Sequence, residues 1–383
     1  MGTSQDITQQ LVNRWDQLTA RLAVENIDGL VITGGADMKF LTGYHAMSSE
    51  RITALIVVAS SDNSANAPKP LLLVPELERP RVVHRRSIFD LEGWDDSINP
   101  VELVAKSLKQ TSRIAVSNDM WATHLVGLQT LMQQQNSAFE ITTIGDALGG
   151  LRSLKSIQER ELMVKVGSLA DVVSVQLQQG KIPLVGRTEA EVASDIGSRL
   201  LEAGHERVEF VIVASGPNSA SPHHHPGDRI IEANEMVLCD FGGKYQDYCS
   251  DTTRCVFTGP IPDEVAAAYD ALLRAQAAGV LAAQPGNALA GVDHASRSLL
   301  SDEGYGDFFI HRTGHGIGTQ VHEEPYVTGQ TPVTIEPGHV FSVEPGIYID
   351  GKWGMRLEDI VVVNSDGPQR CNSSPHDLMS VDS

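Results

Sequence analysis

Cysteine is scarce in this 383-residue sequence, with only Cys239, Cys249, Cys255 and Cys371, and no pair has CxxC spacing. That excludes a disulfide framework and suits a reduced setting. Cationic residues are also short, with 29 Lys and Arg against 49 Asp and Glu, a net charge of −20. Nucleic acid and anionic membrane surfaces need clustered Lys and Arg, so neither is an expected partner. Long apolar runs are missing: residues 52–59, broken by Thr53, fall far short of the ~20 residues that a membrane-spanning helix requires. The first ten residues are polar and lack a signal-peptide core, and the expected location is cytoplasmic. No repeat of solenoid period and no low-complexity tract longer than a loop interrupts the chain.

What remains is the composition of an ordinary soluble protein, 41% hydrophobic and 20% charged. A chain this long exceeds what a single core usually organises, so two domains are expected, 1–150 and 151–383. In the first, a helical period over 5–26 places Leu11, Trp15, Leu18 and Leu22 on one face. Short apolar runs at 29–33, 54–59, 71–74, 113–116 and 140–144 then alternate with helical stretches at 101–110 and 121–134. That alternation predicts a three-layer α/β domain, with 60–70 as a surface loop. The second domain opens with helices over 156–180 and 188–203. Thr188 suits an N-cap, although the spacing to the next glutamate is not that of a capping box. Strands follow at 210–214, 236–241 and 248–257, helices at 262–283 and 289–301, and strands at 339–343, 346–349 and 356–363. This order is α+β.

Four segments carry chemistry. In LCDFG (238–242) and SDTTR (250–254), Asp240 and Asp251 lie on a hairpin and oppose each other if it turns near Tyr245 and Gln246. Two opposed carboxylates need a cation or a proton between them; the alternative is that one is a solvated turn residue. In VEPG (343–346) and RLED (356–359), Glu344 and Glu358 sit in apolar strands, where a bare carboxylate is costly. Arg356 can pair with one of them. The fourth segment, HRTGHGIG (311–318) followed by VHEEPY, clusters His311, His315 and His322 in a glycine-rich loop. It is neither a GxGxxG nucleotide loop nor an HExxH zincin helix. Four carboxylates and one imidazole make an oxygen-rich donor set with room for two divalent ions, better suited to Mn²⁺, Co²⁺ or Fe²⁺ than to structural zinc.

Taken in order, Asp240, Asp251, His315, Glu344 and Glu358 in these contexts resemble the ligand positions of the pita-bread metallopeptidases, the creatinase, aminopeptidase P and prolidase group. The resemblance covers about residues 156–365, and LTGY (41–44) resembles part of the creatinase-type N-terminal domain. It implies a pita-bread catalytic domain behind a smaller creatinase-like domain, a homodimer, and hydrolysis of Xaa-Pro bonds in dipeptides or at peptide N-termini. The metals implied are two divalent ions, Mn²⁺ first and Co²⁺, Fe²⁺ or Zn²⁺ as alternatives, with Glu344 as both ligand and general base. By the same resemblance His223, in SGPNSASPH (215–223), and His322 face the substrate and act in catalysis. His311 lines a proline pocket, and Tyr348 and Arg356 support the substrate side. His224 and His225 extend His223 into a triple run that reads equally as an exposed polar loop. Two rivals stand beside this reading: hydrolysis of another small amide or cyclic metabolite on the same scaffold, and a non-catalytic binding protein.

Overall fold

A computed structural model describes residues 4–59, 69–83 and 88–381, and the chain divides into two compact units, Met1–Arg152 and Ser153–Ser383. The expected loop at 60–70 lies outside the described residues over 60–68. The first unit is built on six strands: β1 (Gly29–Thr33), β2 (Ala54–Val58), β3 (Leu71–Pro75), β4 (Asp90–Trp94), β5 (Arg113–Val116) and β6 (Glu140–Thr143). Their order is β4-β3-β2-β1-β5-β6, antiparallel across β1–β2 and β2–β3 and parallel elsewhere. Strand alternation sends Leu30, Ile32, Leu55 and Val57 into one core with Leu18 and Leu22 of the first helix. Val31, Ile56 and Ile114 enter a second core with Val104, Leu108, Leu128 and Met132. A sheet covered on both faces is the three-layer α/β architecture. The strand β4 escaped the sequence reading because its burial alternates around charged residues and offers no apolar run.

Among the described residues the second unit holds two five-stranded sheets and a two-stranded one. One has the path β18-β10-β8-β7, from β7 (Arg207–Ser215), β8 (Met236–Tyr245), β10 (Thr252–Phe257) and β18 (Met379–Ser380), with β9 (Tyr248–Cys249) paired to β8. The other runs β12-β11-β13-β16-β17, from β11 (Gly314–Gly316), β12 (Glu323–Val327), β13 (Val340–Val343), β16 (Asp359–Asn364) and β17 (Gly367–Arg370). A separate hairpin joins β14 (Gly346–Ile349) to β15 (Trp353–Arg356). The expected single strand over 356–363 is therefore two, β15 and β16, broken at Leu357–Glu358 where the chain changes sheet.

Helices cover these sheets. Ile157–Gln178 and Glu189–Ala203 pack on Val237, Cys239 and Phe241, whereas Asp263–Ala282 packs on Met236 and Leu238. Both faces of β8 are thus apolar at its start, each fully buried side chain stabilising by roughly 1.5–3 kcal/mol. Asp240 is the next residue on the face of Met236 and Leu238, so the site begins where that core ends. One helix start corrects the sequence reading. Thr188 and Glu191 form a complete capping box, each side chain bonded to the other's backbone N–H, because Glu191 stands at the third helical position. Among the described residues, no helix is long and apolar enough to cross a membrane.

Candidate active site

The two aspartates share a hairpin, but they are not directly opposed. The turn falls on Gln246 and Asp247, both at positive φ (46° and 72°), which pairs Asp240 with Thr253 rather than with Asp251. Moving the turn centre by one residue shifts the register by two, and parity is kept. Asp251, two residues before Thr253, still projects from the face of Asp240. Glu344 and Glu358 arrive from the other sheet, one just past β13 and the other just ahead of β16, whose Val343 and Asp359 are paired. His315 comes from the centre of β11, beside β13. Gly314 lets those two strands touch: a Cβ there would run into the backbone of Ser342.

Asp251, His315 and Glu358 bring one ligand atom each within 4.8 Å of one another, and all three are buried. His315 donates from Nδ1 to the Gly316 carbonyl (3.0 Å), which leaves its Nε2 lone pair facing Asp251 Oδ2 at 3.6 Å and Glu344 Oε1 at 3.3 Å. Burial, with the neighbouring charges of His322 and Arg312, holds the ring neutral by pushing its pKa down to about 3. Burial and then the repulsion of Glu358, Asp240 and Glu344 push the Asp251 carboxyl well up. Glu358 is raised for the same reasons, and Glu344 is raised to about 7. Arg356 donates to Asp240 Oδ2 at 2.6 Å, yet Asp240 Oδ1 is buried with no hydrogen-bond partner. Lone pairs aimed at lone pairs, an orphaned carboxylate oxygen and one guanidinium among four carboxylates are what a divalent cation would resolve. Oxygen donors with a single imidazole fit such an ion.

Thr253 completes the cluster and was missed from sequence. Its hydroxyl donates to Glu358 Oε2 (2.6 Å) and accepts from Arg356 Nε (3.0 Å). Only the hairpin register, which puts it opposite Asp240, would have revealed it. Arg356 continues to the Tyr348 hydroxyl (2.9 Å), which reaches His311 Nε2 (2.9 Å), while His311 Nδ1 donates to the Arg312 carbonyl (2.7 Å). Burial and the charge of Arg356 lower the His311 pKa to about 3, so this chain runs through a neutral imidazole.

The cluster lines a cavity of about 770 Å³ in the second unit. His223, His311, His322 and Arg356 line it along with the five acidic and histidine candidates; Tyr348 does not, and touches it only through Arg356 and His311. His224 and His225 line it too. The ring of His322 lies 4.1 Å from that of His315, and burial lowers its pKa. Arg312 was also passed over in the sequence. Its guanidinium rests on the Tyr326 ring at 4.1 Å and lines the cavity, and among the described residues no carboxylate forms an ion pair with it.

Residues 161–365 match the model of metallopeptidase family M24, and residues 14–153 match the creatinase/prolidase N-terminal domain. The chain belongs to family M24. It is similar over its whole length to a probable dipeptidase PepE of Mycobacterium tuberculosis, 37% identical and covering 99% of that protein. Among solved structures it resembles dipeptidase PepE from Mycobacterium ulcerans (TM-score 0.90, 38% identity, 98% of each chain) and a prolidase from Thermococcus sibiricus (TM-score 0.87, 30% identity, 100% of each chain). This M24 metallopeptidase therefore combines a creatinase-type N-terminal domain with a pita-bread catalytic domain. The five-residue cluster lining its cavity suits the divalent metal that the family name implies.

Proposed function

We propose that this M24 enzyme is an Xaa-Pro dipeptidase, with Asp240, Asp251, His315, Glu344 and Glu358 holding two divalent ions, Mn²⁺ before Co²⁺, Fe²⁺ or Zn²⁺. The observation that carries the dipeptide reading is Arg312: a guanidinium in the same cavity as the acidic cluster that, among the described residues, forms no ion pair with a carboxylate. A free α-carboxylate of a short substrate supplies the missing partner, and a planar fork recognises it bidentately. The names dipeptidase and prolidase among the relatives point the same way. Four buried cysteine thiols suit a reducing cytoplasm, and a homodimer is the expected assembly.

Bound ions would polarise the scissile carbonyl and bring the pKa of a water near neutrality. The chain's own groups do the rest. Glu344 accepts the proton of the attacking water and returns it to the leaving proline nitrogen, which cannot depart as an amide anion. His322 and His223 donate N–H bonds to the oxygen on which negative charge develops. His322 does so as a neutral imidazole, since burial keeps its pKa low. His311, held by Tyr348 and the Arg312 carbonyl, forms the wall against proline.

The test compares Ala-Pro, Ala-Pro-Ala and Met-Ala on one sample whose metal content is measured. Ala-Pro should be cleaved well ahead of the other two. Arg312→Gln should raise KM for Ala-Pro by roughly tenfold to a hundredfold, the worth of hydrogen bonds to a charged group, with a smaller effect on kcat. Equal cleavage of Ala-Pro-Ala would overturn the dipeptidase assignment, and full activity of metal-free protein would overturn the metal scheme.

A further inference from the structure

Beneath the loop that carries His223 lies a carboxylate that the mechanism does not use. Glu189, the first residue of the helix Glu189–Ala203, has no solvent exposure. Its Oε1 accepts from the backbone N–H of Ser215 (2.8 Å), the Ser215 hydroxyl (2.8 Å) and Asn218 Nδ2 (3.1 Å). Its Oε2 accepts from His224 Nε2 (2.7 Å), from Asn218 Nδ2 (3.2 Å) and from the backbone N–H of Gly227 (3.4 Å). Every one of these donors belongs to residues 215–227. Burial pushes the Glu189 pKa up, but the donors from His224, Ser215 and Asn218 outweigh it and leave the carboxyl below its ordinary value. Arg229, paired with Glu235, adds a bond to the Ser215 hydroxyl at 2.6 Å.

A buried charge that gathers donors from one loop is a fixed point for that loop. The same segment is held on its other side, where Arg356 donates to the Pro222 carbonyl (3.3 Å) and Gly354 N–H to the Ser219 hydroxyl (2.7 Å). Between these anchors, Pro222, His223, His224 and His225 line the cavity. The triple histidine is therefore divided in use: His224 turns onto Glu189, and its neighbour His223 is left to the cavity.

We propose that Glu189 is a positioning residue, which fixes the 215–227 loop through His224, Asn218 and Ser215 so that His223 is presented to the substrate. What His223 does there rests on the peptidase reading above. Two measurements on the full chain separate the two ideas. Hydrogen exchange on Glu189→Gln should show about tenfold faster exchange confined to 215–227, with the rest of the second unit unchanged. This arm needs neither metal nor activity, and unchanged exchange in the loop overturns the proposal. Kinetically, Glu189→Gln should lose about tenfold in kcat/KM for Ala-Pro in the wild-type background and nothing further beside His223→Ala. Additive losses, or a His223→Ala variant as active as wild type, would also overturn it. Should Glu189→Gln not fold, His224→Gln keeps the buried carboxylate and should show the same pattern at smaller amplitude. If wild type cleaves none of the dipeptides, the peptidase reading fails and the exchange result still decides the anchor.

Discussion

His315 sets the electrostatic problem at the residue scale, because its Nε2 lone pair and three carboxylates with raised pKa values converge on one buried volume. Without a cation, burial and mutual repulsion favour the protonated forms of these carboxyls, so a divalent ion competes with protons for them. Its affinity should fall as pH drops below about 7, the value for Glu344, and binding should release protons. Titration calorimetry in two buffers of different ionisation enthalpy measures that release, and buffer-independent heats would refute it. The same shift has a sign for stability. A carboxyl that holds its proton more tightly folded than unfolded favours the folded state at low pH. That contribution is lost as pH rises from 4.5 to about 7 through the Glu344 range. Denaturant midpoints of metal-free protein should decline across that window and recover with Mn²⁺. The candidate ligands stood out in sequence for different reasons: Glu344 and Glu358 sit in apolar strands that do not tolerate a bare charge, Asp240 and Asp251 share a hairpin, and His315 lies in a glycine-rich loop. Thr253 and Arg312 did not, since a threonine in a strand and an arginine in a loop are unremarkable until register and partners are known.

Elements show where local pattern suffices and where it fails. The strands Gly29–Thr33, Arg113–Val116 and Gly346–Ile349 were readable to the residue, being short apolar runs with clear ends. The strands β11 and β12 were not, because glycine, histidine and glutamate form them only when β13 is alongside. A buried ion pair fixes this part of the second unit. Lys155 Nζ lies 2.6 Å from Glu323 Oε1, with both side chains almost fully enclosed, and Glu323 follows His322 directly. Lys155→Ala removes the cation from that enclosed carboxylate and should cost about 3–5 kcal/mol, read from chemical denaturation. The double replacement Lys155→Met with Glu323→Leu should recover most of the loss. At the start of the helix Glu189–Ala203, Thr188→Ala breaks the capping box and should cost about 1 kcal/mol without changing KM.

At the scale of the whole molecule, the chain divides into two compact units, each with its own cores. The acidic cluster and the cavity belong entirely to Ser153–Ser383. A cation that binds only one folded unit stabilises that unit by mass action and has no hold on the other. Calorimetric scans should therefore show one transition rising with Mn²⁺ while the transition of Met1–Arg152 stays in place; equal movement of both would argue against separate cores. The net charge of −20 argues against nucleic acid and anionic membranes as partners, and part of it resolves into the carboxylates of the cavity.

The turn at Gln246–Asp247 carries a further consequence, for how the length of this chain can drift. Asp240, Thr253 and Asp251 share a face only while an even number of positions separates their pairings across the hairpin. An insertion or deletion of one residue inside either strand would turn a carboxylate into the core packed by Val237 and Phe241. Residues added at the tip, beyond the Tyr245–Tyr248 pair, leave every pairing below them untouched. Length variation in this segment should therefore collect at the tip.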